Sequence, residues 1–192
     1  MNLIIFGPPG AGKGTQSSFI AKKFKLYQLS TGELLRNEIK NKTNLGKQIS
    51  SIINLGNLVS NELVGSLIEK YLSDKDYQNR IIFDGYPRTL TQAQTLNDSM
   101  IKYNQKIHIA LRLTVNLDTI IKRIKERSAL EKRDDDSEEI AIKRYETYEK
   151  NIKPVIDFYK QSNLLKDVNG ESSIIEINNE ISALIESIKG WL

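Results

Sequence analysis

The chain has 192 residues, a net charge of +4 and a hydrophobic fraction of 39%, with a mean hydropathy of −0.41 and a pI near 9.1. That length suits one substantial α/β domain with one or two insertions, and the absence of cysteine excludes disulfides and thiolate metal sites and agrees with a cytosolic chain. No apolar run approaches the roughly 20 residues of a membrane span, and no basic region with a long apolar core opens the chain, so neither a membrane protein nor a signal peptide is expected. The arginines are scattered singly and do not form a basic run interleaved with aromatics. The positive balance therefore reads as a collector of small anions, with no nucleic-acid partner.

The first element is a strand, Asn2–Phe6, followed by Gly7-Pro8-Pro9-Gly10-Ala11-Gly12-Lys13-Gly14-Thr15 and a helix-like segment from Gln16 to Phe24. Strand, glycine-rich loop and helix, with four residues between Gly7 and Gly12-Lys13, is the phosphate-binding P-loop arrangement. Glycines let backbone N–H groups turn toward a polyphosphate, the helix offers its positive end, and Lys13 reaches the terminal phosphates. The Ser/Thr that usually follows the lysine is Gly14, with Thr15 one place later, which leaves direct Mg²⁺ ligation by a loop hydroxyl unsupported.

Further strands are predicted at Tyr27–Leu29, Arg80–Asp84, Ile107–Leu113 and Ile174–Ile177. They are rich in Ile, Leu and Phe, as strands buried on both faces are. A helix over Thr31–Lys40 starts after Ser30, with Glu33 completing a capping box. Helices over Leu45–Leu55 and Glu62–Leu72 follow without an intervening strand, which predicts a helical insertion at roughly residues 30–60. Asn116–Arg127 puts Leu117, Ile120, Ile121 and Ile124 on one helix face. Asp136–Tyr159 opens with a capping-box pattern and carries Tyr145, Tyr148, Ile152, Val155 and Tyr159 at helical spacing, as core or groove residues; Pro154 should kink or interrupt it. Asn169-Gly170 is a turn. The βα alternation predicts a central parallel five-stranded sheet with helices on both faces, a three-layer P-loop fold.

Ligands of open α/β sheets bind beyond the carboxyl ends of the strands, which brings Asp84 to the same edge as Gly7. A carboxylate there can hold Mg²⁺ through its waters. Arg36, Arg88, Arg123, Arg127, Arg133 and Arg144 lie at the ends of predicted elements, and the planar guanidinium suits phosphate oxygens bidentately. The single histidine, His108, lies inside a strand and reads as structural. No general base accompanies the arginines. A sugar hydroxyl or a water needs help losing a proton, whereas a phosphate monoester is already anionic at neutral pH. Many arginines without a base favour phosphate as the acceptor.

Gly7–Gln16, then Leu29-Ser30-Thr31-Gly32-Glu33-Leu34-Leu35-Arg36, then Gly56-Asn57-Leu58-Val59, then Asp84-Gly85-Tyr86-Pro87-Arg88-Thr89 with Gln92, resembles the adenylate kinases collinearly over essentially the whole chain. Gly14 is normal for nucleoside-monophosphate kinases. The resemblance implies a core domain of residues 1–29, 60–126 and 138–192, an AMP-binding insertion of 30–59 and a short lid of 127–137. It implies an ATP site from Gly10, Ala11, Gly12, Lys13, Gly14, Thr15, Arg123, Arg127 and Gly170. The AMP site would comprise Thr31, Arg36, Asn57, Leu58, Val59, Gly85, Arg88, Gln92, Arg133 and Arg144. Lys13, Arg88, Arg123, Arg133, Arg144 and Asp84 would carry the phosphoryl transfer, with Mg²⁺ arriving on ATP near Asp84. Asp135 and Asp136 match the family's acidic pair at the lid hinge. Only Ser128–Lys132 separates Arg127 from Arg133, too little for a strand-containing lid, and no zinc is expected. Asn169 stands where the family often has aspartate, and Tyr86 where phenylalanine is frequent.

The implied activity is reversible phosphoryl transfer from ATP to AMP giving two ADP, by a cytoplasmic monomer. Uridylate/cytidylate kinase is the alternative; related pyrimidine kinases typically carry alanine at the position of Thr31 and differ around Gln92. A non-enzymatic nucleotide switch is a more distant one. The guanine motif of a GTPase is missing, since Asn41-Lys42 is followed by Thr43-Asn44.

Overall fold

A computed structural model describes residues 1–131 and 137–189; Arg133, Asp135 and Asp136 lie outside the described residues. Five strands, β1 (Asn2–Phe6), β2 (Tyr27–Ser30), β3 (Ile81–Asp84), β4 (Ile107–Thr114) and β5 (Leu165–Asn169), form one sheet in the order β2-β3-β1-β4-β5. Every pairing is parallel. The helices are α1 (Lys13–Phe24), α2 (Thr31–Lys40), α3 (Asn44–Asn54), α4 (Asn61–Ser73), α5 (Leu90–Lys102), α6 (Leu117–Glu131), α7 (Glu138–Gln161) and α8 (Ile174–Lys189).

Alternation along the buried strands divides the core in two. Ile4, Phe6, Phe83 and Ala110 face a cluster with Ile68, Leu96, Val155 and Tyr159. Leu3, Ile5, Ile82 and Leu111 face the other, with Ile20, Ile177, Ile181 and Ile185. All nine residues of β1 and β3 are buried. This continuous apolar character is what makes them central strands covered on both faces.

Four of the five predicted strands are present to within a residue at either end. The fifth is not where periodicity placed it. Ile174–Ile177 is the first turn of α8, and the strand is Leu165–Asn169. A reciprocal cap starts the helix: Glu176 N–H donates to Ser173 Oγ at 3.3 Å, and Ser173 N–H donates to Glu176 Oε2 at 2.9 Å. Ile177, Ile181 and Ile185 then recur on the core face, while Ile174 and Ile175 are exposed. β5 is an edge strand with only Val168 buried, so its sequence, Leu-Lys-Asp-Val-Asn, lacks the apolar signature of its neighbours. It is tied to β4 by Arg112, whose guanidinium donates to both Asp167 carboxylate oxygens at 2.6 Å.

Two further departures concern helices. α5 (Leu90–Lys102) is additional to the predicted set; Thr89 caps it by accepting from Gln92 N–H. Pro154 lies inside α7 without interrupting it. Proline removes one hydrogen bond, but Ile152, Val155 and Tyr159 are buried on both sides of it and hold the two halves in line.

Between β2 and β3 the chain makes three α-helices, of which α2 and α3 pack together closely. A Cβ on Gly46 would stand 2.0 Å from Glu38 O, so only glycine permits that contact. Thr43 caps α3 by accepting from Gly46 N–H at 2.9 Å.

Candidate active site

The loop after β1 turns on two glycines in the left-handed region, Gly10 at φ 79° and Gly12 at φ 90°. Gly10 also lies close to α6: a Cβ on it would be 3.1 Å from Ile124 Cγ1 and 3.2 Å from Ile120 O. Arg123, one residue before Ile124, is carried over the loop, where its Nη1 donates to Ala11 O at 3.5 Å.

Lys13 opens α1 and folds back across the loop, its Nζ donating to Gly7 O and Pro8 O, each at 2.8 Å. Its pKa is pushed down to about 7, first by burial. Asp84 opposes the shift, while Arg88, Arg144 and Arg127 add to it. Four groups from three distant parts of the chain therefore act on one ammonium. A cationic cluster around a lysine raises the cost of its charge and is what a polyanion relieves.

Asp84 ends β3 opposite Ser30 of β2 and Ile5 of β1. It is 6% exposed. Its Oδ2 accepts from Gln28 Nε2 at 3.0 Å, and a Cβ on Gly14 would be 3.7 Å from the same oxygen. The carboxylate thus sits beside the first turn of α1, as the sheet topology requires. Thr15, further along that turn, is exposed.

Beyond Lys13 lies an open cleft. Thr31, Arg36, Asn57, Leu58, Val59, Gly85, Arg88, Gln92 and Arg144 line it together with Lys13. The set comes from the start of α1, α2, the α3–α4 connection, the β3–α5 turn with the first turn of α5, and α7. The β3–α5 turn is internally braced. Gly85 adopts φ 72°, and its carbonyl accepts from Thr31 Oγ1 at 3.1 Å and from Arg88 Nε at 2.7 Å. Arg88 N–H donates to Gln92 Oε1 at 2.8 Å, which fixes the orientation of that amide and leaves Nε2 as its donor. Arg36 lies back along α2, its guanidinium 3.3 Å from where a Cβ on Gly32 would be. Apolar walls come from Leu35, Ile53, Val64 and Ile152, so the cleft can take a flat ring as well as an anion.

The remaining expected residues lie outside this cleft. Gly10, Ala11, Gly12, Gly14, Thr15 and Arg123 form the loop side. Arg127 is one helical turn beyond Arg123 on α6. Gly170 packs at the end of β4: its N–H donates to Thr114 O at 2.9 Å, and a Cβ on it would be 2.6 Å from Val115 Cγ2. Arg133 lies outside the described residues. His108 is at the opposite edge of the sheet, where its Nδ1 accepts from Asn2 N–H at 3.1 Å and burial lowers its pKa, consistent with a structural role.

Sequence reasoning missed three side chains here. Thr147 and Tyr148 of α7 line the cleft; the helical spacing of Tyr145 and Tyr148 signalled a core or groove face without saying which. Gln28 had no signal at all, being a polar residue in a short edge strand.

A parallel sheet with a glycine-rich loop at its central strand, a carboxylate at the end of the neighbouring one and a cationic cleft alongside defines a P-loop nucleotide-binding protein. Within that class the chain belongs to the adenylate kinase family: the family model described as Adenylate kinase matches residues 5–164. An adenylate kinase of Pelagibacter ubique is 41% identical over 212 residues, covering 97% of this chain and 100% of the relative. An adenylate kinase of Caulobacter sp. is 37% identical over 188 residues, covering 98% and 100%. One from Archaeoglobus fulgidus is 35% identical over 216 residues, covering 98% and 100%.

Proposed function

We propose that this chain catalyses the reversible transfer of the γ-phosphoryl group of ATP to AMP, giving two ADP. The observation that carries this is the cleft in which Arg36, Arg88 and Arg144 line one cavity with Lys13. Three guanidiniums beside a P-loop lysine suit an acceptor that is itself a phosphate.

In this reading the loop amides of Gly10–Thr15 hold the donor's phosphates and Arg123 covers its base. Arg127 and Gly170 complete the donor side, and Arg133 joins through the family pattern alone. Arg36 and Arg88 hold the AMP phosphate, while Thr31, Gly85, Gln92 and the backbone of Asn57–Val59 receive its adenine and ribose. An acceptor phosphate oxygen forms its bond to the γ-phosphorus as the bond to the β-phosphate oxygen breaks. No proton has to be removed, so the chain needs positioning and charge rather than a base. Lys13 and Arg144 stand where charge passes from donor to acceptor. Phosphate oxygens beside Lys13 favour its ammonium form and offset the cationic crowding of the free protein.

The donor set also fits a divalent cation. Mg²⁺ is usually held by one or two carboxylates plus substrate phosphates, not by an all-protein cage. Asp84 supplies one carboxylate beside the loop, and no cluster of three ligating side chains occurs among the described residues. When bound, Mg²⁺ neutralises charge on the transferring phosphates; Asp84 would orient its water shell.

We assign residues 30–59 as the AMP-binding insertion, 127–137 as a short lid and the remainder as the core, acting as a cytoplasmic monomer. Closure of lid and insertion would exclude water and prevent loss of the phosphoryl group to hydrolysis. A coupled ADP assay with AMP, CMP, UMP and GMP as acceptors tests the substrate. AMP should be preferred clearly; a preference for UMP or CMP would transfer the chain to the pyrimidine kinases.

A further inference from the structure

We propose that Gln28 is a positioning residue: its side-chain amide sets the orientation of Asp84 against the first turn of α1, and thereby the Mg²⁺ dependence of ATP binding. This rests on the assignment of Asp84 to the Mg²⁺ water shell.

The geometry comes from the parallel register of β2 and β3. Gln28 is opposite Ile82, and Ser30 is opposite Asp84. Gln28 and Asp84 are therefore diagonal neighbours on one face of the sheet, a separation that long side chains bridge. That face is the one packed by α1, since Ile82 joins Ile20 in the same cluster. Gln28 Nε2 donates to Asp84 Oδ2 at 3.0 Å and to Gly14 O at 3.5 Å.

One amide nitrogen thus faces two acceptors, a carboxylate and a backbone carbonyl of the P-loop helix. An NH₂ group has two hydrogens and meets both; the amide oxygen could meet neither, so the side chain has one orientation. An aspartate turns easily about its last torsion. Holding Oδ2 selects one setting of the carboxylate plane and ties it to the helix that presents Lys13. Partners of this kind, one step behind a metal-directed carboxylate, typically change metal affinity or activity by roughly 10–100-fold.

Gln28 is half-buried on an edge strand and does not line the acceptor cleft. AMP binding should be insensitive to it, which separates positioning from a general structural role. Gln28→Leu removes the donor. Gln28→Glu keeps the shape but sets a carboxylate against Asp84 and Gly14 O. Gln28→Met serves if the leucine variant does not fold.

The test is calorimetric titration with ATP, once with Mg²⁺ and once with a chelator, alongside the Mg²⁺ dependence of kcat/KM and the KM for AMP. In Gln28→Leu, ATP binding with Mg²⁺ should weaken roughly tenfold. Binding of metal-free ATP and the KM for AMP should stay within about twofold. Gln28→Glu should lose more, through like-charge repulsion. Unchanged Mg²⁺ dependence in Gln28→Leu and Gln28→Glu would overturn the inference, as would a parallel loss of all three affinities. Asp84→Asn separates the two levels: if it leaves Mg²⁺-dependent ATP binding intact, the assignment of Asp84 fails; if it abolishes that dependence while the Gln28 variants retain it, only the role of Gln28 fails.

Discussion

The two sides of Lys13 are built differently. On the acceptor side, separate parts of the chain close around one cleft, and its turn is braced by hydrogen bonds from Thr31 and Arg88 to Gly85 O and from Arg88 N–H to Gln92 Oε1. On the donor side the loop presents backbone, with Arg123 reaching it through a bond of 3.5 Å. In the proposed function the difference follows from what each side would recognise. A polyphosphate can be held by a glycine-rich loop and a helix end, whereas discrimination among nucleoside monophosphates requires shape and preset polar groups.

Lys13 belongs to both sides, so Lys13→Met should cost most, roughly 4 kcal/mol in kcat/KM for either nucleotide. Its depressed pKa adds two pH signatures. In the free enzyme kcat/KM for ATP should fall as pH rises through about 7, because the ammonium is lost. Folding stability should rise with pH between about 7 and 10.5, because across that window the unfolded chain binds a proton the native one does not. Both steps should vanish in Lys13→Met; pH profiles matching the wild type would contradict the electrostatic cluster.

Arg88→Ala comes next, at about 3 kcal/mol in kcat/KM for AMP. Steady-state kinetics at saturating ATP measures it, and a near-normal value would break the assignment of the acceptor side. Gly46→Ala probes the scaffold of that side. Its Cβ would overlap Glu38 O, so unfolding in urea should report a loss of about 2 kcal/mol, with a raised KM for AMP and an unchanged KM for ATP. Arg123→Ala should be smallest, about 1 kcal/mol, expressed as a raised KM for ATP at constant KM for AMP. Equal effects on both nucleotides would erase the distinction between the sides.

Much of this was legible in order along the chain because the signals are local. The strand, glycine loop and helix around Lys13 occupy consecutive residues, and the caps at Ser30 and Thr31–Lys40 depend on residues three apart. Failure came where burial depends on what lies across the sheet. Ile174–Ile177 is apolar enough for a strand, and only its cap and the recurrence of Ile181 and Ile185 make it a helix. β5 is a polar segment accepted at the sheet edge because β4 supplies Arg112 opposite Asp167.

By itself the sequence determined the loop chemistry and the βα alternation, since each depends on residue type at short spacing. The tertiary structure alone decided which arginines share a cavity with Lys13, which segment completes the sheet, and that Gln28 meets Asp84 across a sequence separation of 56. Those contacts are set by strand register and by helices returning to one sheet edge, and no local pattern encodes a distance between chain segments that meet only after folding.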